Sequence, residues 1–102
     1  MRLDVARELI PLSAPFTITG YTFTDMSAVV ARVSERGAEG SGEAAGVYYL
    51  DDGVEHMCAE IERVRRDIEA GTDRESLRRL LPPGGARNAL DCALWDLEAK
   101  RL

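Results

Sequence analysis

The C-terminal segment constrains the fold more than any other part of this sequence. Residues 86–101 are predicted to form a helix, and at about 100° per residue their apolar side chains fall on two nearly opposite sides. One arc consists of Ala86, Ala89, Leu90, Ala93 and Leu97, and the other of Asn88, Cys92, Trp95, Ala99 and Leu102. A helix on the surface of a small domain has one apolar face. Two faces predict a helix between two layers.

The first arc contains three alanines, which would let another backbone approach the helix closely. No later residue of the sequence is left to cover the second arc. We therefore expect a partner, a symmetry mate or the rest of a longer polypeptide to cover it. The alternative is that Trp95 packs back onto the sheet of the same domain.

The first half of the chain has the two-residue alternation of β-strands. Residues 2–12 and 27–35 are predicted strands, residues 36–40 a turn, and residues 41–46 a returning strand. Residues 16–23 are rich in β-formers, but Gly20 favours a loop or a bent strand there. Three consecutive strands with short links indicate an antiparallel meander.

The apolar period then changes from 2 to 3.6. A stripe at helical spacing ends at Gly71, a typical C-terminal glycine, and Thr72 with Glu75 predicts a capping box for a short second helix. Pro82 and Pro83 end that helix. The stripe is formed by Val54, Met57, Cys58, Ile61, Val64 and Ile68, and the short helix carries Leu77, Leu80 and Leu81. The fold class is α+β, a three-stranded antiparallel meander followed by helices, with residues 1–85 as the domain and residues 86–102 as a junction helix.

Length and charge exclude several classes. The chain has 102 residues and a net charge of −5, which indicates one domain and argues against a nucleic-acid partner, since such proteins need a basic face. No stretch approaches the ~20 apolar residues of a membrane span. The two cysteines, Cys58 and Cys92, are interpreted as reduced thiols of a cytoplasmic protein. A (β/α)₈ barrel needs about 250 residues, so this chain cannot contain one.

The sequence offers no catalytic or metal-binding constellation. Gly40, Gly42 and Ala45 match the spacing of a dinucleotide fingerprint, but no helix start follows them, as that motif requires. Residues 51–53 would either bind a cation or cap the following helix. The single histidine, His56, lies two residues before Cys58 and therefore on another side of the helix. We assign no catalytic and no metal residue.

Five of the six aromatic residues lie in two irregular segments. Phe16, Tyr21 and Phe23 are in the first, and Tyr48 and Tyr49 are in the second. Aromatic side chains on loops carried by a rigid sheet are typical of a surface that covers a ligand. Closing the end of a small core would use the same residues.

Residues 86–100 resemble the first signature of the mandelate racemase/muconate-lactonizing enzyme family, within the enolase superfamily. Pro15 with Phe16, residues 40–44 and residues 83–91 look most like its dipeptide epimerase branch. The resemblance implies an enolase N-terminal-like capping domain. In the family a (β/α)₈ barrel follows this domain, with the junction helix between cap and barrel; that barrel is absent from this chain.

The resemblance also implies an activity for the parent protein. It would be a cytoplasmic, Mg²⁺-dependent racemase, epimerase or cycloisomerase that abstracts a proton next to a carboxylate. Its substrate would be a small carboxylate such as a dipeptide or an amino-acid derivative, and the full-length enzyme a homo-oligomer. The metal and the catalytic lysines belong to barrel strands, so these 102 residues alone are not expected to be catalytic.

What the resemblance assigns to this chain is two substrate-covering loops, at about residues 16–25 and 47–52. The specificity residues implied are Phe16, Thr19, Tyr21, Phe23, Val47, Tyr48 and Tyr49. Dipeptide epimerases often have a basic residue where this chain has Gly20 and Tyr21, and many have Cys-x-Pro-Tyr where it has residues 44–49. Two other interpretations stay open: a freestanding α+β binding module that associates through its last helix, and a cap and a barrel that are separate chains.

Overall fold

The computed structural model describes the backbone of residues 1–18, 21–46 and 53–102, and the side chains of residues 1–9, 27–46 and 53–102. Three strands form one antiparallel sheet in the order β1–β2–β3, and three helices follow. This is the predicted meander followed by helices. The elements are β1 (Arg2–Ile18), β2 (Tyr21–Glu35), β3 (Ala38–Ala45), α1 (Val54–Glu69), α2 (Arg74–Leu80) and α3 (Gly85–Arg101).

The first two strands are longer than the sequence predicts. β1 continues past Pro11 to Ile18, and β2 already begins at Tyr21. For residues 16–18 and 21–23 the prediction of a loop or bent strand is therefore wrong, since Phe16 pairs with Phe23, and residues 19 and 20 lie outside the described part. The register shifts between Pro11 and Phe16, and such an irregularity is where a strand tolerates proline. The β-forming residues on both sides of Gly20 favour strand over loop.

The turn between β2 and β3 is tighter than predicted. It consists of Arg36 and Gly37 alone, both with positive φ, at 52° and 82°. Two consecutive residues in this region are typical of a type I′ turn, whose twist matches that of the flanking strands. β3 therefore begins at Ala38 instead of Ser41.

One face of the sheet carries the core. The predicted stripe of α1 is confirmed, with Met57, Ile61, Val64 and Ile68 buried, and the first arc of α3 is buried as well. These helices cover the face of the sheet that presents Leu3, Val29, Ala31 and Val33. Burial of one continuous apolar cluster between sheet and helices is what stabilises an α+β domain.

The helix ends differ from the predicted caps. The N-cap of α2 is Asp73, not Thr72: a carboxylate oxygen of Asp73 accepts the Ser76 backbone N–H at 2.7 Å. Thr72 instead donates its hydroxyl to the carbonyl of Asp67 at 2.6 Å, so its side chain belongs to the end of α1. The N-cap of α1 is Gly53, without a side-chain cap, and residues 51 and 52 lie outside the described part.

The cap at Asp73 gives a first prediction. The Ser76 N–H holds the pKa of the Asp73 carboxyl below its ordinary value, so its stabilising effect is present above the unfolded-state pKa and is lost as the pH falls through the lower folded-state value. We expect Asp73→Ala to lower the Tm by a few degrees at neutral pH and to change it less at an acid pH where the carboxyl is protonated in the folded chain as well.

Asp73→Asn is the matched control, since asparagine keeps an acceptor for the Ser76 N–H and caps helices about as well as aspartate. Its Tm at neutral pH should stay close to that of the native chain. Circular dichroism melts at both pH values give the measurement. Equal melting of Asp73→Ala and the native chain at neutral pH would show that the cap is not stabilising.

Candidate functional site

The second arc of α3 is exposed. We call Asn88, Cys92, Trp95, Ala99 and Leu102 the outer face of this helix; all five side chains are exposed. Trp95 is 52% and Leu102 101% exposed. The expectation of a helix with one buried and one uncovered apolar face is thus confirmed, and the alternative in which Trp95 packs back onto the sheet is wrong.

Trp95 has one contact that the sequence did not reveal. The guanidinium of Arg74, at the start of α2, lies over the indole ring at 3.4 Å from its centroid. The same guanidinium is paired with Glu98, with Nε 3.2 Å from the carboxylate. A cation–π contact of this kind orients the ring, and about half of the side chain remains exposed.

Beside this stack lies a charged cleft of about 440 Å³, lined by Asp73, Arg74, Glu75, Arg78 and Glu98. An exposed aromatic side chain next to a charged border is typical of the centre and rim of a protein–protein interface.

The inner face of α3 lies unusually close to β3. A Cβ placed on Gly40 would be 2.2 Å from the carbonyl oxygen of Ala93, and one on Gly42 would be 2.0 Å from that of Ala89. The two glycines therefore let the helix backbone approach the strand, which is the close approach that the alanines of α3 predict. The sequence signal for this contact is a Gly-x-Gly strand together with a helix that has alanines on one face. The two were not connected from the sequence alone.

Polar side chains of α3 also bind β3. A carboxylate oxygen of Asp96 accepts the backbone N–H of Ser41 at 3.0 Å, and Lys100 donates to the carbonyl of Glu39 at 2.8 Å. The N–H of Ser41, followed by the neighbouring Lys100, holds the pKa of the Asp96 carboxyl below its usual value.

Phe16, Tyr21 and Phe23 lie on a two-stranded extension of the sheet. β3 pairs with β2 from Ala28 onward, so within the described part of the chain residues 21–26 of β2 are paired with β1 alone. The pairing of Phe16 with Phe23 and of Ile18 with Tyr21 puts these four positions on one face of the hairpin. Thr19, Val47, Tyr48 and Tyr49 lie outside the described residues.

The two segments that carry the predicted specificity residues start from the same end of the sheet. Ala45, the last residue of β3, pairs with Ala28, and the N–H of Gly46 donates to the carbonyl of Ser27 at 3.1 Å. The described chain therefore leaves the sheet after Gly46, at the base of the two-stranded extension.

The described residues do not offer a metal site. Among them, no three His, Cys, Asp or Glu side chains lie close enough together to hold a metal ion, so Mg²⁺ has no fitting donor set in this part of the chain. Cys58 is half-buried, Cys92 is exposed, and both are free thiols. Of the helices described, none is long and apolar enough to cross a membrane.

A three-stranded meander with helices on one face and an uncovered apolar helix face defines an N-terminal capping domain of the enolase type. The chain belongs to the mandelate racemase/muconate lactonizing enzyme family, whose N-terminal domain model matches residues 1–102. Within that family its similarity is to the dipeptide epimerase branch.

Two curated relatives carry this similarity. The chain is 40% identical over 99 residues to the L-Ala-D/L-Glu epimerase of Escherichia coli strain K12, covering 97% of this chain and 31% of the relative. It is 31% identical over 75 residues to the N-acetyl-D-glutamate racemase of a Pseudoalteromonas species, covering 72% of this chain and 24% of the relative. The chain thus spans less than a third of the length of these relatives.

Solved structures agree with the fold. An enolase family member from Agrobacterium tumefaciens with homology to dipeptide epimerases, solved with sodium and L-Ala-L-Glu, superposes with a TM-score of 0.93 at 35% identity, over 97% of this chain and 30% of that one. An L-Ala-D/L-Glu epimerase superposes with a TM-score of 0.89 at 37% identity, over 98% and 30%. The matched part of each is the capping domain; the remainder has no counterpart in these 102 residues.

Proposed function

We propose that this chain is the substrate-specificity cap of an isomerase that removes a proton next to a carboxylate. The observation that carries the proposal is the common origin of the two candidate segments at one end of the sheet. A rigid sheet from one end of which a hairpin and a connecting segment both extend is a typical support for a ligand-covering surface.

The hairpin extension supports this role. A two-stranded ribbon is marginally stable by itself in water, so the part of the hairpin beyond β3 gains stability when another surface packs against it. Phe16, Tyr21 and Phe23 share one face of that ribbon by register. In this proposal that face and residues 47–52 close over the substrate pocket of a barrel and select the substrate.

The barrel is the proposed partner of the outer face of α3. Relatives about three times as long as this chain contain a further part that the chain lacks, and the outer face is the apolar surface left uncovered on the junction helix. Tryptophan and arginine are the side chains that most often anchor an interface, and Trp95 with Arg74 provides both.

The chemistry would come from that barrel. Mg²⁺, which is present in the solved structure of the dipeptide epimerase from Methylococcus capsulatus with L-Arg-D-Lys, would stabilise the enediolate formed on proton removal. The contribution of the present chain is to exclude water and to choose the side chains of the substrate. We further expect the complete enzyme to be a cytoplasmic homo-oligomer.

The proposed substrate is a dipeptide or an N-acylated amino acid with a free carboxylate. The relatives are named for L-Ala-D/L-Glu and for N-acetyl-D-glutamate. These compounds share a carboxylate next to an acylated nitrogen-bearing carbon. They differ in what extends from that nitrogen, and this is the part of the substrate that a cap would contact.

A chimera tests the proposal. This chain would replace the matched 31% of the Escherichia coli epimerase, and exchange of the substrate α-proton for deuterium would be followed by NMR for L-Ala-L-Glu and N-acetyl-D-glutamate with Mg²⁺. We expect the chimera to exchange at least one of them and the isolated 102-residue chain to exchange neither.

The barrel without any cap is the control, and it should be inactive or unselective. Exchange by the isolated chain would contradict the proposal, and so would a folded chimera that exchanges no substrate of the panel. A chimera without exchange, combined with a stable dimer of the isolated chain through the outer face, would favour the freestanding binding module.

A further inference from the structure

We propose that the helices bind the edge strands of the sheet with acid–base pairs, along β3 from α3 and at the start of β1 from α1, and that the pair on α3 keeps a second copy of this chain from adding to β3 as a further strand. The pair on α3 is Asp96 with Lys100. The pair on α1 is Arg65 with Glu69. Each pair hydrogen-bonds the outward-facing peptide groups of the neighbouring edge strand.

The need for such caps follows from the topology. In the order β1–β2–β3 both outer strands are edges, and every second residue of an edge strand points its N–H and C=O away from the sheet. In β3 these residues are Glu39, Ser41, Glu43 and Ala45, because Gly46, of the opposite parity, donates to β2 at Ser27. Unpaired groups of this kind are a template for another chain.

The pair on α3 replaces two bonds that a fourth strand would make. Asp96 accepts the N–H of Ser41 at 3.0 Å, and Lys100 donates to the carbonyl of Glu39 at 2.8 Å. The two side chains also pair with each other at 3.1 Å. Side chains four residues apart on a helix are separated by a rise of about 6 Å. Successive outward-facing residues of a strand are about 6.6 Å apart. An i, i+4 pair on α3 can therefore reach two successive outward-facing residues of β3.

The pair on α1 binds both peptide groups of a single residue, Leu3, near the start of the opposite edge. Arg65 donates to the carbonyl of Leu3 at 2.6 Å, and the N–H of Leu3 donates to the carboxylate of Glu69 at 3.4 Å. Arg65 and Glu69 are 3.9 Å apart, and Glu62 holds the guanidinium of Arg65 from the other side at 2.7 Å. An i, i+4 acid–base pair therefore binds an edge strand from each of two helices, with the order of acid and base reversed, but the pair on α1 holds one residue of a strand that continues to Ile18.

The caps leave little of β3 available. Once the carbonyl of Glu39 and the N–H of Ser41 are occupied, the outward residues that can still use both peptide groups are Glu43 and Ala45, fewer than a stable intermolecular strand pairing needs. The exposed carboxylate of Glu43 would also face like charge in a symmetric pair, which is unfavourable.

The test is the oligomeric state of the 102-residue chain after removal of the cap on α3. In Asp96→Ala/Lys100→Ala we expect the mass measured by light scattering to rise with concentration to at least twice that of the native chain under the same conditions. The amide of Ser41 should exchange faster than in the native chain at low concentration and slower again as association proceeds.

Two variants serve as controls. Glu35→Ala/Arg101→Ala removes an ion pair of 2.9 Å between β2 and the same helix without freeing a β3 peptide group, and it should keep the native mass. Asp96→Asn/Lys100→Arg keeps an acceptor and a donor for the edge and should also behave as the native chain.

The proposal is overturned if the alanine pair keeps the native mass at all concentrations, or if the control pair without Glu35 and Arg101 associates equally. Should the alanine pair fail to fold, Lys100→Ala alone frees only the carbonyl of Glu39. We expect this variant to associate more weakly than the double variant would but measurably above the native chain. An unchanged mass in this folded variant contradicts the edge-cap role as well.

Discussion

Replacing Gly42 with alanine is expected to destabilise this domain by about 3 kcal/mol, the upper range for overpacking a well-packed core. The added Cβ would lie 2.0 Å from the carbonyl oxygen of Ala89, 2.7 Å from the backbone nitrogen of Ala93 and 2.9 Å from the Cβ of Cys92. Two of these three atoms belong to the backbone of α3, which no side-chain rotation can move away.

To accept the new methyl group, α3 must shift from β3 along its length. That shift would also separate Gly40 from Leu97, whose backbone nitrogen lies 2.3 Å from the position of a Cβ on Gly40, and would stretch the bonds from Asp96 and Lys100 to the strand. Domains of this size are stable by about 5–15 kcal/mol, so the loss is a substantial share of the total.

Gly53→Ala is the matched control. It is the same substitution, at a glycine with φ −84° and with nothing within 4 Å of the added Cβ. Chemical denaturation of both variants measures the difference in unfolding free energy. A Gly42→Ala variant that unfolds at the same denaturant concentration as Gly53→Ala would show that α3 does not lie against β3 as described.

The sequence predicts the parts of this fold that depend on apolar periodicity. The stripe of α1 and the two arcs of α3 are regular over several turns, so burial follows directly from spacing. Apolar periodicity does not predict features that depend on single side-chain hydrogen bonds, such as the identity of a helix cap. Asp73 and Thr72 are adjacent good caps, and only the hydroxyl bond of Thr72 to Asp67 in the folded chain leaves Asp73 as the cap of α2.

The length of the hairpin could not be predicted for a different reason. Gly20 and the prolines of β1 are local signals for a break, and the strands continue because cross-strand pairing absorbs one irregular stretch between Pro11 and Phe16. Contacts between residues distant in sequence decide the candidate site in the same way. Neither the stacking of Arg74 on Trp95 nor the binding of Asp96 to Ser41 has a signature within one segment.

Shortening a buried side chain of α3 should matter most for the stability of the isolated chain. Shortening an exposed side chain of the outer face should matter most for the activity of a complete enzyme. Leu90 is 0% and Trp95 52% exposed. In the 102-residue chain we expect Leu90→Ala to cost about 2–5 kcal/mol, as buried leucines do. Trp95→Ala should cost less than about 1 kcal/mol, because its exposed cation–π contact is worth about that much at most. Denaturant titrations of the two variants give both values.

In the chimera with the Escherichia coli barrel, we expect Trp95→Ala to impair activity more than Leu90→Ala does. If the outer face docks on the barrel, Trp95 becomes a buried anchor, and anchors of this kind contribute about 2 kcal/mol or more, a factor of about 30 in association. We expect Trp95→Ala to lower the rate of α-proton exchange at least tenfold in a chimera that still folds, and Trp95→Phe, which keeps an aromatic ring, to lower it less. A Trp95→Ala chimera with unchanged exchange would mean that the partner of the junction helix lies elsewhere, since tryptophan is among the residues most enriched at interface hot spots.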